Sequence, residues 1–171
     1  MNHTDATSDL DEIDLEIIRE FEQNDEKSLE ELADELDLST SAIHYRLNQL
    51  KDSGVITSTS ANIDPHALGM SMVTITEVYV YHESGYADDI GDELAALPGV
   101  QQVFYTMGDV DFIVVSRVQD HEQMNELIDK IVALDGVNET SSRFVMRELK
   151  NDSRLLETMS DEMIDKVLEA E

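Results

Sequence analysis

The chain predicts an α+β protein in two parts, a small helix-turn-helix unit followed by a βαββαβ sheet unit, and two observations carry that expectation. In SLEELADELDLSTSAIHYRLNQLKDSGVI, Ser28 to Ile56, apolar residues recur at helical spacing in two short runs that are parted by a turn and ended by a glycine. Further on, Ala96-Leu97-Pro98-Gly99-Val100 recurs as Ala133-Leu134-Asp135-Gly136-Val137, the glycine returning after 37 residues. Each copy ends a helical pattern and opens a strand.

The leading segment MNHTDATSD is polar and is expected to fray. Leu10, Ile13, Ile17 and Phe21, widened by Leu15 and Ile18, then make a first helix until Asn24 and Asp25 interrupt it. Ser28 is placed to N-cap a second helix, with Glu31 closing a capping box and Leu29, Leu32, Ala33 and Leu36 forming its apolar stripe. Ser39 offers the next N-cap, and Ala42, Ile43, Leu47 and Leu50 keep helical spacing until Gly54 stops the helix. Its outer face carries Thr40, Ser41, His44, Tyr45, Asn48 and Lys51, with Arg46 near the edge. Hydroxyl, amide, imidazole and cationic groups of this kind reach phosphates and base edges when a helix enters the major groove. The same spacing also suits a plain pair of amphipathic helices. Val55 to Ser58 and Ala61 to Ile63 look extended around a short STS turn, as a wing would be, and Asp64, Pro65 and Gly69 mark a connector.

In the second half the strands are Met72 to Tyr81, Gln101 to Met107, Phe112 to Val118 and Glu139 to Met146, with helices near Tyr86 to Leu97 and His121 to Leu134. Two β-α-β passages with both helices on one face make a ferredoxin-like sheet. Val73, Ile75, Val78 and Val80 put apolar side chains on both faces of the first strand, so a partner sheet is expected over the open one. After Arg147, Leu155, Leu156, Met159, Met163, Ile164 and Val167 recur at helical spacing. That tail reads as a docking helix, either packed on its own domain or adding to oligomerisation. The expected divisions are a frayed 1–9, a winged helix-turn-helix domain at 10–57, wing and linker at 58–71, a βαββαβ domain at 72–150, and a helical extension at 151–171.

Composition narrows the function. Among 171 residues, 11 Lys and Arg face 39 Asp and Glu, a formal net charge of -28. Within the first 57 residues the bases are only Arg19, Lys27, Arg46 and Lys51, so the usual basic footprint of a DNA-binding domain is absent. Either the motif does not bind DNA, or the protein works in molar salt, where charge is screened over roughly 3 Å. The acids are dispersed through every segment as a solvated surface would place them, which favours the second reading, and the composition resembles that of salt-in halophilic proteins. The absence of cysteine excludes disulfides, thiolate metal sites and cysteine catalysis. His44, His66, His82 and His121 lack a paired metal-ligand spacing, and there is no nucleophile-base-orienter set, P-loop or dinucleotide fingerprint, so neither enzyme activity nor a cofactor or metal is expected. With no signal-peptide pattern and no apolar run of spanning length, the expected location is the cytoplasm, away from membranes.

LDEIDLEII, LSTSAIHYRLNQLKDSGVI, NIDPHALG, GDVDF and LDGVNETSS follow one another at separations that carry a specific resemblance. From Leu10 to Leu149 the chain is similar to transcriptional regulators of the leucine-responsive regulatory protein and AsnC family, the feast/famine regulators, here of halophilic archaeal type. The resemblance implies a homodimer whose effector domains join their sheets, often assembled further into tetramers or octamers, acting on double-stranded promoter or operator DNA. It places the recognition helix on Ser39 to Lys51, with Ser39, Thr40, Ser41, His44, Tyr45, Arg46, Asn48, Gln49 and Lys51 at the DNA and the family's usual arginine on Arg46. Where many relatives have further basic residues this chain has Tyr45, Asn48 and Gln49, which weakens the phosphate contribution and leaves hydrogen-bond readout more prominent. For Arg46 the competing reading is an internal salt bridge to an acid such as Glu35.

The resemblance also implies an effector cleft between subunits, beside Gly108, Asp109 and Asp111 and facing Thr140 and Ser142 of the last strand. Glycine allows close approach, carboxylates suit an α-ammonium and hydroxyls donate to a carboxylate, so the expected effector is an amino acid or related small metabolite. Gly108 and Asp109 equally suit a plain hairpin turn. The expected function is thus a sequence-specific DNA-binding transcriptional regulator with an oligomerising, amino-acid-sensing C-terminal domain. The alternative is a ligand-binding or protein-interaction module that does not bind DNA.

Overall fold

Asp11 and Asp14 start the first helix by capping each other. The Asp14 N–H donates to the Asp11 carboxylate at 2.8 Å and the Asp11 N–H to the Asp14 carboxylate at 3.2 Å, which satisfies two of the orphan donors at the start of α1, Glu12–Gln23. Ser28 and Glu31 do the same for α2, Leu29–Glu35, as the spacing predicts. The turn that follows puts Asp37 in the left-handed region at φ 51° and returns the Leu38 N–H to the Ala33 carbonyl at 2.9 Å. Ser39 then caps α3, Thr40–Asp52, which ends at Gly54 with φ 79°. Ile17, Leu32, Ala33, Ile43, Leu47 and Leu50 interlock as the core of this unit, so the apolar stripe of each helix is buried against the other two.

The computed structural model describes residues 10–23, 27–59, 61–81 and 86–169. The polar leader 1–9, the interruption at Asn24 and Asp25, Ser60 of the STS turn, and His82 lie outside the described residues. The described residues gather into two compact units, one within 1–62 and 150–171 and one within 63–149. Among the described residues no helix is long and apolar enough to cross a membrane.

Two departures from expectation fall in the first unit. The described residues of the 55–63 stretch form no strand. Instead the Ile56 N–H bonds the Leu50 carbonyl at 2.9 Å, and Val55 and Ile56 pack against the helical core, which uses their apolar side chains before a ladder could. The tail from 150 onward belongs to this unit as well. The Glu22 carboxylate on α1 accepts the backbone N–H groups of Leu155 at 2.6 Å and Leu156 at 2.9 Å, which heads the single 3-10 turn Leu156–Thr158 and buries Leu156. Ser160 caps the last helix of this unit, α4, Asp161–Leu168.

The sheet unit runs β1 Met72–Val80, αA Tyr86–Ala96, β2 Val100–Tyr105, β3 Phe112–Val118, αB His121–Val132 and β4 Val137–Phe144. The strand order is β2-β3-β1-β4, antiparallel throughout. The sequence repeat is a geometric one. Gly99 and Gly136 adopt φ 91° and 89°, and the Val100 and Val137 N–H groups donate to Leu97 and Leu134 carbonyls at 3.1 and 3.2 Å. Each strand therefore starts directly after its glycine turn, one or two residues earlier than periodicity alone suggests. A Cβ at Gly136 would lie 2.9 Å from Ile90 Cδ1, so a side chain there would displace the tip of Ile90, and the φ of 89° itself calls for glycine.

Val78, Val80, Phe112, Val114 and Val118 face αA and αB and meet Ile90, Leu94, Met124, Leu127 and Ile131 in the core. The register puts Phe104, Ile113, Glu77 and Ser141 in one row of the opposite face, and Gln102, Val115, Ile75 and Arg143 in the next. On that open face Phe104 and Ile75 are exposed, and Arg143 pairs with Glu77 at 2.6 Å. The connector belongs here rather than forming a free linker, because Arg117 donates to the Met70 carbonyl at 3.3 Å and Gln119 to the Leu68 carbonyl at 3.1 Å. Docking of the tail has a measurable consequence in the first unit. Leu156→Ala is expected to lower its stability by about 2–3 kcal/mol, read by denaturant unfolding in molar salt, and an unchanged midpoint would show that Leu156 is not docked.

Candidate nucleic-acid interface

Helix α3 presents a face whose chemistry follows from its burial pattern. Ile43, Leu47 and Leu50 are buried, which turns Thr40, Ser41, His44, Tyr45, Asn48, Gln49 and Lys51 outward, all exposed, with the Ser39 cap exposed beside them. Six of these side chains are joined in pairs, two of the pairs one helical turn apart. Asn48 Nδ2 lies 3.0 Å from His44 Nδ1, Gln49 Nε2 donates to the Tyr45 hydroxyl at 2.8 Å, and the Ser39 and Ser41 hydroxyls meet at 3.0 Å.

Arg46 is put to a different use. One guanidinium nitrogen donates to Asp11 Oδ2 and to Asp14 Oδ1, both at 2.8 Å, so it braces the start of α1 against the middle of α3. The partner is not Glu35, which is taken by Lys27 at 2.5 Å; Lys27 also pairs with Glu20. An arginine committed to two carboxylates, with its side chain only 28% exposed, is not a free phosphate contact. Its expected place among the DNA-contacting residues is therefore revised to a support for the helix that carries them. Lys51 remains as the α3 cation without an ion pair among the described residues.

Burial pushes the Asp11 carboxyl up, but the Asp14 N–H and the Arg46 guanidinium outweigh it and hold the group below the usual carboxylate range.

The residues expected around an effector divide between two places. Gly108 lies at φ 149° with open space where a Cβ would be, and Asp109 is exposed beside it on the β2–β3 loop. Asp111, two residues on, turns inward. It is 7% exposed and its Oδ2 accepts the Val80 N–H at 2.9 Å, so this carboxylate fixes the end of β1 against β3 and is not the exposed group expected of an ammonium contact. Thr140 and Ser142 lie on β4, on the sheet face that the helices cover; Thr140 stands opposite Val78, which stands opposite Phe112. Strand β1 thus separates them from the loop by about 10 Å of sheet. Ser142 shares a hydrogen bond with Thr76 at 2.9 Å.

Sequence reasoning missed Asp11 and Asp14 as partners of Arg46, Glu22 as the cap of the tail, and buried Arg117, which also reaches Glu148 at 2.8 Å. Only the first left a local trace, the Asp-x-x-Asp spacing before an apolar helix.

A reader helix on a helix-turn-helix, carried in one chain with a four-stranded sheet under two helices, defines a DNA-binding transcriptional regulator with a ligand-binding domain. A family model for a winged helix-turn-helix DNA-binding domain matches residues 10–57, and one for the Lrp/AsnC ligand binding domain matches residues 74–155. The HTH-type transcriptional regulator FL11 of Pyrococcus horikoshii is 35% identical over 146 residues, 85% of this chain and 95% of that one. The leucine-responsive regulatory protein of Salmonella typhimurium is 29% identical over 153 residues, 86% of this chain and 92% of its own. A solved transcriptional regulator of Neisseria meningitidis in complex with L-Met shares the fold with a TM-score of 0.80 at 24% identity, over 85% of this chain and 96% of that one. AsnC of E. coli does so with a TM-score of 0.76 at 22% identity, over 83% and 95%. The chain belongs to the Lrp/AsnC family of transcriptional regulators.

The brace makes a pH-resolved prediction. Because the Asp11 carboxyl titrates below its unfolded value of about 3.9, its contribution is present above that pH and is lost as pH falls through the folded value. Arg46→Ala is expected to cost about 1–3 kcal/mol near neutrality and to flatten the acid limb of the stability curve. A variant with the parent's stability at pH 7 and the parent's acid limb would remove the brace from consideration.

Proposed function

We propose that this protein reads operator DNA through α3 as a homodimer in the salt-rich cytoplasm of its cell, and that its sheet unit takes an amino acid or related small metabolite. The single observation that carries the DNA reading is the exposed face of α3: eight polar side chains from Ser39 to Lys51, six of them hydrogen-bonded in pairs, on a helix whose arginine is already paired. Such a face offers hydrogen bonds to base edges and phosphate oxygens alike but little charge to displace counterions, so base contacts carry more of its binding. The homodimer reading rests on the open sheet face, where exposed Phe104 and Ile75 sit among half-buried Ile113 and Val115 and call for a cover. Tetramers and octamers would extend that assembly. The ligand class rests on the L-Met bound to the Neisseria meningitidis relative and on the exposed Asp109 carboxylate beside Gly108.

The deciding experiment is a fluorescence titration of duplexes from the protein's own promoter in potassium chloride from 0.5 M upward. With one unpaired α3 lysine per subunit, the slope of log K against log salt is expected near −2 for a dimer. A slope steeper than about −6 would mean that phosphate contacts dominate and would defeat the reading of α3 as a base reader. A second measurement joins assembly to ligand. Light scattering is expected to find a parent dimer that Phe104→Asp dissociates, and calorimetry an amino acid whose affinity falls roughly ten-fold in Asp109→Ala, as loss of one charge-assisted contact would cause. A monomeric parent would defeat the sheet-pairing argument, and a full amino-acid panel without heat would defeat the sensor.

A further inference from the structure

We propose that His44 and Tyr45 are positioning residues that hold the amides of Asn48 and Gln49 as preset readers of adenine. This rests on α3 as the reading helix and goes beyond it by naming which atoms face the groove and which base they fit. The observation is the pair of contacts between residues one turn apart, Asn48 Nδ2 to His44 Nδ1 at 3.0 Å and Gln49 Nε2 to the Tyr45 hydroxyl at 2.8 Å. All four side chains are exposed, so the contacts serve neither the core nor any neighbouring helix.

Amide chemistry turns these contacts into a choice of base. Each amide nitrogen carries two hydrogens and each amide oxygen only accepts. When the hydrogen given to the partner is the one trans to the amide oxygen, the second hydrogen and the oxygen remain side by side as a donor and an acceptor. In the major groove adenine offers N7 as acceptor and N6–H₂ as donor, which that pair matches in both members. Guanine offers two acceptors, N7 and O6, and would require the opposite turn of the amide, with its oxygen on the partner and its nitrogen outward. His44 opposes that turn for Asn48 as long as Nδ1 is the ring's acceptor, which places the ring proton on Nε2. Tyr45 acts on Gln49 in a second way. A glutamine fixed at a base edge loses rotamer freedom, and a side chain already tethered to a ring on the same helix loses less of it on binding. The need is acute in this chain because Arg46, the guanidinium that could have read guanine, is committed to Asp11 and Asp14.

The test is a selection from a pool of random duplexes by the full-length protein in molar potassium chloride, followed by titration of the selected site and of each single-base change in it. The variants are Asn48→Ala, Gln49→Ala, His44→Ala and Tyr45→Phe, with the doubles His44→Ala/Asn48→Ala and Tyr45→Phe/Gln49→Ala. Tyr45→Phe keeps the ring and removes only the hydroxyl that accepts from Gln49. The expected parent site contains an adenine whose replacement costs roughly ten-fold in affinity for each amide. Tyr45→Phe should erase that discrimination at the same base as Gln49→Ala, and His44→Ala at the same base as Asn48→Ala. Each double variant should be no worse than its amide variant alone, since one interaction cannot be lost twice. Affinity for unselected duplex should stay within about two-fold, which a folding defect would not allow. If the amide variants lose discrimination and the partner variants keep it, the positioning role is overturned and α3 remains the reader. If the amide variants discriminate like the parent, or the selected bases at their positions are guanines, the adenine assignment falls. A parent that selects no site overturns both this proposal and the reading beneath it.

Discussion

The bifurcated contact from Arg46 to Asp11 and Asp14 is the constraint on which the reading unit depends. Each distance is 2.8 Å, and the same two carboxylates cap the start of α1 by accepting each other's N–H groups. Four roles thus meet in three side chains: the cap that starts one helix, the anion that suits its positive end, the cation that neutralises both acids, and the tether that fixes α1 to α3. Exposed pairs count for little in concentrated salt. This one is screened less, because the Asp14 side chain is only 12% exposed and Asp14 would be left buried and unpaired without its arginine.

Placing the arginine there has a consequence for how an acidic protein can bind a polyanion. The chain carries 39 acids against 11 bases, so electrostatic attraction cannot supply the affinity that counterion release gives ordinary DNA-binding domains. Recognition must then rest on contacts that salt does not weaken, and the exposed face of α3 is built from hydroxyls, amides, an imidazole and a phenol. Hydrogen bonds and apolar burial keep their value at high ionic strength because neither depends on long-range charge.

Local chemistry was legible in the sequence wherever it decided the structure. Ser28 with Glu31, Ser39, Gly54, and the twin glycines 99 and 136 all act as their residue types dictate, because capping and left-handed turns are settled within a few residues. The two β-α-β passages followed from the repeat for the same reason. What sequence could not show is what depends on partners distant along the chain. Asp11 and Asp14 are 35 and 32 residues from Arg46, and Glu22 is 133 residues from Leu155; no periodicity links them. No strand forms in the described residues of 55–63, because Val55 and Ile56 are taken by the helical core nearby, a contact that local pattern does not reveal. In the candidate effector site, Asp109 and Asp111 are two positions apart and indistinguishable by type, yet the β2–β3 loop leaves one in solvent and turns the other to the Val80 N–H.

The order of segments along the chain adds a constraint that no single motif contains. Because 150–171 pack with 1–62, the sheet unit is an insertion, entered after residue 62 and left after residue 149. Within the sheet unit both crossings are held by one side chain. Arg117, 3% exposed, donates to the Met70 carbonyl on the way in and to the Glu148 carboxylate on the way out, and β4 continues the link through the Val145 N–H to the Val73 carbonyl at 3.0 Å. A guanidinium buried to this degree is held there by its acceptors, since an unpaired charge in that position would be strongly destabilising. The end of β3 therefore holds the entering and the leaving segment of the sheet unit together, so loss of this one guanidinium would release both at once.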